Sequence, residues 1–117
     1  MRHRKEGKKF NRKTGARRSF LRNLVGDVVR HGKIETTEAR AKALRPLVEH
    51  LVTIAKRGDL ASRRILLRRL HNKNVVERLL DEVGPRYADR KGGYMRVLKL
   101  GKTRKRDGVR LARLEFV

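Results

Sequence analysis

The chain contains no cysteine and no tryptophan. The first absence excludes disulfides and thiolate metal sites, and is compatible with a reducing cytoplasm. The second, with only three Phe (Phe10, Phe20, Phe116) and two Tyr (Tyr87, Tyr94), leaves Leu, Val and Ala to build a small core. It also removes the aromatic anchors that a basic membrane-surface helix uses. No apolar run approaches the roughly 18 residues of a bilayer span. The positive N-terminus leads into no hydrophobic stretch, so a secretory signal is not expected. Acidic residues are scarce, 12 against 34 Lys+Arg.

Positive charge is what the chain has in excess, a formal +22 on 117 residues. This length suits one domain. Self-repulsion of that size makes the isolated fold marginal and salt-sensitive, and a polyanion relieves it. Nucleic acid fits better than an anionic membrane, because no helix pairs a basic face with a bulky aromatic one.

Residues 1–16 mix Lys and Arg with Gly, Asn and a single Phe, and offer no apolar stripe to bury. Ordering them alone costs backbone entropy with little return, so a basic arm that orders against phosphate is expected. From residue 17 onward one compact domain is predicted. Phe20, Leu24 and Val28, flanked by Leu21, Val25 and Val29, mark a helix over 17–31, stopped by Gly32. Lys33-Ile34-Glu35 is a candidate edge strand. Thr36 or Thr37 then caps a helix over 37–57 with a buried stripe of Ala39, Ala43, Leu47, Leu51 and Ile54. Pro46 lies inside this pattern, and a kinked but continuous helix is expected.

Gly58 and Asp59 separate it from a third helix, 60–70. Asn74 followed by Glu77 has the spacing of a capping box opening a fourth helix, with Gly84 in a left-handed stop and Pro85 beyond it. Residues 85–93 read as a linker. Tyr94–Leu100 and Val109–Val117 change to period two, with Ala112, Leu114 and Phe116 facing one way. They form an antiparallel hairpin whose basic loop is 101–108. The order is helix, strand, three helices, two strands, an α+β class with helices packed on one face of a small sheet.

Enzyme chemistry finds little support. His3, His31, His50 and His71 match no zinc spacing, and the acids have no distinguishing nucleophile or partner. Gly101-Lys102-Thr103 resembles the end of a phosphate loop, but Arg96 stands where that motif needs glycine and no helix follows. No metal, cofactor or small-molecule substrate is expected. RNA chemistry is well supplied, since arginine clamps phosphate or stacks on bases and lysine acts as a mobile charge.

The candidate contacts are Arg2, His3, Arg4, Lys5, Lys8, Lys9, Arg12 and Lys13 in the arm, and Arg17, Arg18 and Arg22 on the first helix. Arg86, Tyr87, Arg90 and Lys91 follow in the linker, Arg96 on the strand, and Lys102, Arg104, Lys105 and Arg106 at the hairpin tip. Tyr87 is a candidate platform for an unpaired base, Tyr94 a weaker one. A helix-turn-helix reading of 37–70 competes. The spread of basic residues over arm, helices, linker and tip favours a folded RNA that meets the protein from many directions.

The stretch Ile34 to Lys56, with Thr36, Thr37, Arg40-Ala41-Lys42, Glu49, Leu51, Val52, Thr53 and Ala55, resembles the signature region of the bacterial ribosomal protein L17 family. Met1-Arg2-His3-Arg4, Leu21-Arg22-Asn23-Leu24, Gly84-Pro85-Arg86-Tyr87, Arg90, Gly92-Gly93-Tyr94-Met95-Arg96 and Leu114-Glu115-Phe116-Val117 extend the likeness over essentially the whole chain. The resemblance implies a two-layer α-β-α(3)-β(2) fold. It also implies a structural, non-catalytic component of the large (50S) ribosomal subunit in the cytoplasm, binding 23S rRNA near the outer end of the peptide exit tunnel beside neighbouring ribosomal proteins. Two places depart from the family pattern. Lys13-Thr14-Gly15-Ala16 replaces a Ser/Thr-rich stretch, and Arg106 precedes Asp107 where glycine is common.

Overall fold

A computed structural model describes Phe10 and residues 12–117. Helix α1 spans Thr14–His31, three residues longer at its start than the periodicity indicates, so the end of the expected arm is helical. Gly32 closes it in the left-handed region (φ 77°), its N–H reaching the Val28 carbonyl at 2.7 Å. Strand β1 is Lys33–Thr37. Thr37 ends the strand and caps α2 (Glu38–Arg57), its Oγ1 accepting the Arg40 N–H at 3.2 Å. Pro46 does not break α2. Residues 45–47 lie on the exposed side, where water can satisfy the Lys42 carbonyl that proline leaves without a donor.

The buried stripe of α2 shares Leu51 and Ile54 with the expected one and differs from it in the first half of the helix. Ala41, Leu44, Val48, Leu51, Val52, Ile54 and Ala55 point inward, while Ala39 is exposed and Leu47 is 41% exposed. Two apolar stripes compete on this helix, and the inward one is the stripe that meets the sheet and the other helices.

Helix α3 spans Leu60–Leu70, capped by Asp59, whose carboxylate accepts the Ser62 N–H at 2.7 Å. Helix α4 (Lys73–Arg78) opens on Asn72, not Asn74. Asn72 Oδ1 accepts the N–H groups of Asn74 (3.0 Å) and Val75 (3.3 Å), so the expected capping box does not form. Glu77 instead lies 3.4 Å from Arg63 and 3.9 Å from Lys73.

The expected stop at Gly84 is also corrected. The chain passes through a π turn, Leu79–Val83, into a short helix α5, Gly84–Arg86, with Gly84 right-handed (φ −56°) and buried. Its N–H bonds the Leu79 carbonyl five residues back, a slip that widens the helix just where Pro85 removes a donor. Packing favours glycine here. A Cβ on Gly84 would sit 3.0 Å from the Ala55 carbonyl oxygen of α2.

Strands β2 (Met95–Thr103) and β3 (Arg110–Phe116) complete an antiparallel sheet of order β1-β3-β2. The alternation on β3 matches the expectation, with Ala112, Leu114 and Phe116 buried against the helices. On the opposite face, two directly facing cross-strand pairs are salt bridges, Glu35–Arg113 at 3.2 Å and Arg96–Glu115 at 2.8 Å. The architecture is α-β-α(3)-β(2), with α4, the π turn and α5 acting as the last of the three central helices. One core runs through it, from Val28 and Val29 of α1 through Leu44, Val48 and Val52 of α2 to Leu66, Val76, Leu79 and Leu114. Each of these side chains contributes about 1.5–3 kcal/mol through burial, opposing the chain entropy.

Gly84→Ala should lower stability by about 1–3 kcal/mol, because the clash falls on backbone rather than on a flexible side chain. Urea unfolding of the isolated protein measures it. Unchanged stability would mean that α5 does not rest on α2 as described.

Candidate nucleic-acid interface

The scarce carboxylates work inside the fold. Of the eleven among the described residues, eight (Asp27, Glu35, Glu38, Glu49, Glu77, Glu82, Asp107 and Glu115) lie within 4.0 Å of a Lys or Arg nitrogen. Exposed pairs of this kind add little stability individually. Their consequence is positional: they divide the cations into those held within the fold and those left to solvent.

Arg2, His3, Arg4, Lys5, Lys8 and Lys9 of the expected arm lie outside the described residues. Where the arm joins the body, the Arg12 guanidinium stands 3.8 Å over the Phe20 ring, and its Nη1 donates to the Phe10 carbonyl at 2.9 Å. Arg40 approaches the same ring at 4.9 Å and Phe10 meets it edge-on at 5.7 Å. Phe20, which the periodicity assigns to the apolar face of α1, is therefore a half-buried post between two guanidinium groups, each held partly by cation–π attraction. Lys13 and Arg18 are exposed, and Arg17 and Arg22 half-buried.

The linker wraps the end of β3. Tyr87 is 5% exposed and Tyr94 2%, so neither offers a face to a base, and Tyr87 leaves the set of candidate contacts. The two rings meet at 5.4 Å, and Tyr87 stacks on Phe116 at 6.0 Å. The Tyr87 hydroxyl donates to the Val117 carbonyl at 2.7 Å, and that of Tyr94 donates to the Arg90 carbonyl at 3.2 Å. Lys56 of α2 reaches both the Tyr94 hydroxyl and the Arg90 carbonyl. A sequence with so few aromatics places three of them in one clamp, because each buries a large area and a polar tip that still finds a partner.

The clamp fixes the linker cations. Burial pushes the Tyr87 hydroxyl pKa up, partly offset by the nearby charges of Arg86, Arg90 and Arg96. Arg86, Arg90 and Arg96 are themselves exposed. Arg86 bonds the Val117 carbonyl, Arg90 the Gly92 carbonyl and Arg96 the Glu115 carboxylate. Lys91 is exposed beside them.

The hairpin tip lies at the other end of β2. Lys99 pairs with Ala112 and Thr103 with Arg110, so β2 carries two extra residues there, and Gly101 adopts φ 70° within this irregularity. β2 thus runs into the loop expected at 101–108. Arg104 grips Asp107 through Nε–Oδ1 (3.1 Å) and Nη2–Oδ2, and Asp107 also accepts the Val109 N–H at 3.3 Å. The Arg104 guanidinium holds the Asp107 carboxyl below its usual pKa. Lys102 lies 3.6 Å from Glu35. Arg104 and Lys102 thus brace the tip, and Lys105 and Arg106 are its exposed cations with no carboxylate within bonding reach among the described residues.

The candidate set from the sequence omits the outer face of α3. Arg64, Arg68 and Arg69 are exposed there, and Arg22 of α1 donates from Nε to the Arg69 carbonyl at 3.2 Å. The available signal is that α3 contains four arginines and no acid. For catalysis the structure offers no such convergence. Among the described residues no group of three or more His, Asp or Glu could hold a metal ion. No helix among them is long and apolar enough to cross a membrane.

Residues 20–117 match the family model described as ribosomal protein L17. The large ribosomal subunit protein bL17 of Thermus thermophilus is 50% identical over 117 residues, all of this chain and 99% of the relative. That of Moorella thermoacetica is 49% identical over 110 residues, 94% of this chain and 97% of the relative. That of Clostridium botulinum is 48% identical over the same length, covering 94% and 96%.

The Arg104–Asp107 staple gives a pH prediction. A carboxyl whose folded pKa is depressed orders the loop above the ordinary aspartate value, and the ordering is lost only as pH falls through the lower folded value. The Gly108 and Val109 amide resonances should therefore hold steady from neutral pH and move only below the usual aspartate range. Asp107→Asn should abolish that titration. A midpoint at the ordinary aspartate value would mean that Arg104 does not hold Asp107.

Proposed function

From the premise that the chain belongs to the ribosomal protein L17 family, we propose that it binds 23S rRNA near the outer end of the peptide exit tunnel by many separate phosphate contacts. The family assignment makes it a structural constituent of the large ribosomal subunit, at work on the ribosome in the bacterial cytoplasm, and not an enzyme. The observation that carries the RNA reading is the separation of the cations that have no carboxylate within salt-bridge distance among the described residues. Lys13, Arg17 and Arg18 stand where the arm joins the body, Lys91 beside the aromatic clamp, and Lys105 and Arg106 at the far end of the hairpin.

A duplex read along one groove needs one recognition surface. Cations on several sides suit an RNA that folds around the protein, each neutralised phosphate releasing counterions. Arg12 on Phe20 and Arg86 on Val117 have no carboxylate side chain within salt-bridge distance among the described residues while their geometry is fixed, so less conformational entropy is lost on binding. Neighbouring large-subunit proteins are the expected further partners.

The alternative is a nucleic-acid-binding module that works off the ribosome. Crosslinking and sequencing of RNA bound to the tagged protein in growing bacteria separates the two. Sharp 23S rRNA contacts from Arg2–Lys13 and Lys102–Arg106 are expected, with co-sedimentation on 50S particles at moderate salt. Crosslinks scattered over unrelated transcripts would overturn the proposal. In vitro, Lys105→Gln/Arg106→Gln should weaken RNA binding and reduce the slope of log K against log salt by roughly 1.5, while thermal stability stays within about 0.5 kcal/mol.

A further inference from the structure

Helices α1, α2 and α3 leave a groove of about 480 Å³ between them. This lies within the usual range for small-ligand sites, about 300–1,000 Å³. Its floor is aliphatic: Leu21, Val25, Leu47, Leu51 and Leu70. Leu47 is 41% exposed, a large apolar side chain left uncovered in a chain that has few to bury. The rim is Arg18, Arg22, Arg68 and Arg69, with His50 and His71. Among the described residues no carboxylate lines the groove, and none of the four arginines lies within salt-bridge distance of an acid. In a fold that pairs eight of its eleven described carboxylates with cations, this is a surface from which negative charge is missing.

We propose that this groove is an additional RNA site, which takes one unstacked base on the aliphatic floor and its flanking phosphates on Arg18, Arg68 and Arg69. The proposal rests on the RNA reading above and deepens it, naming single-stranded or bulged nucleotides as the element bound.

Charge complementarity selects the occupant. Four guanidinium groups around an apolar floor call for a ligand with a flat uncharged body and negative charge on both sides of it, which is an extruded nucleotide. The groove continues past Arg22, Leu70 and His71 into a second recess that adds Asn23, Asp27 and Asn72. The Asn23 amide and the Asn72 side-chain NH2 there suit hydrogen bonds to a base edge, while Asp27 is already paired with Arg30 at 3.3 Å. Arg22 stands at the junction, held by the Arg69 carbonyl, and its planar fork can lie against a base.

The test uses the full-length protein and a short RNA hairpin carrying one bulged 2-aminopurine, compared with its fully paired counterpart. The bulged RNA should bind more tightly, and the fluorescence of its 2-aminopurine should change on binding. Leu47→Ser, a substitution at an exposed position, should weaken binding of the bulged RNA about fivefold or more. It should leave the paired RNA and the salt slope unchanged. Arg68→Gln/Arg69→Gln should weaken bulged-RNA binding and lower the slope by roughly 1.5. Circular dichroism and thermal melting confirm that each variant is folded.

Wild-type affinity in both groove variants, with binding lost on Lys105→Gln/Arg106→Gln, would overturn the groove site and leave the RNA reading standing. Wild-type affinity in all three would overturn both. A photoreactive p-benzoylphenylalanine in place of Leu47 in growing bacteria should give a nuclease-sensitive adduct. A nuclease-resistant, protease-sensitive adduct would instead identify a protein in the groove and overturn the proposal.

Discussion

Shortage of negative charge is the constraint on which the rest of the structure depends. A +22 chain with a small aliphatic core has little margin against its own repulsion, so the position of every carboxylate matters. Glu35 faces Arg113 across the sheet and also lies near Lys102, drawing the base of the hairpin toward β1. Glu38, in the first turn of α2, lies near both Lys42 and Lys99, linking the helix to β2. Asp107 closes the hairpin tip around Arg104. These pairs are exposed and individually weak, so their effect is to set geometry more than to add stability.

The same economy governs the aromatic residues. Tyr87, Tyr94 and Phe116 gather at one end of the sheet, and Phe10 and Phe20 at the root of the arm. Both clusters are flanked by cations. Lys56 supplies the polar side of the first cluster, and Arg12 and Arg40 the cationic flanks of the second. Cations on rigid supports lose less freedom on binding a ligand than cations on an unanchored chain.

Much of this was legible in the sequence. The element order, the left-handed glycines that close α1 and α2, the span of α3 and the inward alternation of β3 all follow from local rules, and the structure agrees with them. Where sequence and structure differ, the cause is shared. Two apolar stripes on α2 were equally periodic, and only packing chose between them. Gly84 has the look of a helix stop, yet it is glycine because the Ala55 carbonyl comes within 3.0 Å of where a Cβ would be. Tyr87, beside three arginines, has the look of a base platform, yet Phe116 and Val117 arrive from thirty residues away to cover it.

Composition and periodicity determined the excess of positive charge, the α+β order and the expectation that no catalytic centre exists, because charge and hydrophobic period are properties of the chain itself. Tertiary structure decided which cations are braces and which are free, since an ion pair such as Arg96–Glu115 joins residues far apart in sequence. It also decided that α1 and α3 share an arginine-rimmed groove. A surface built from three helices exists only once their packing angles and registers are set, and no local pattern in any one of them records it.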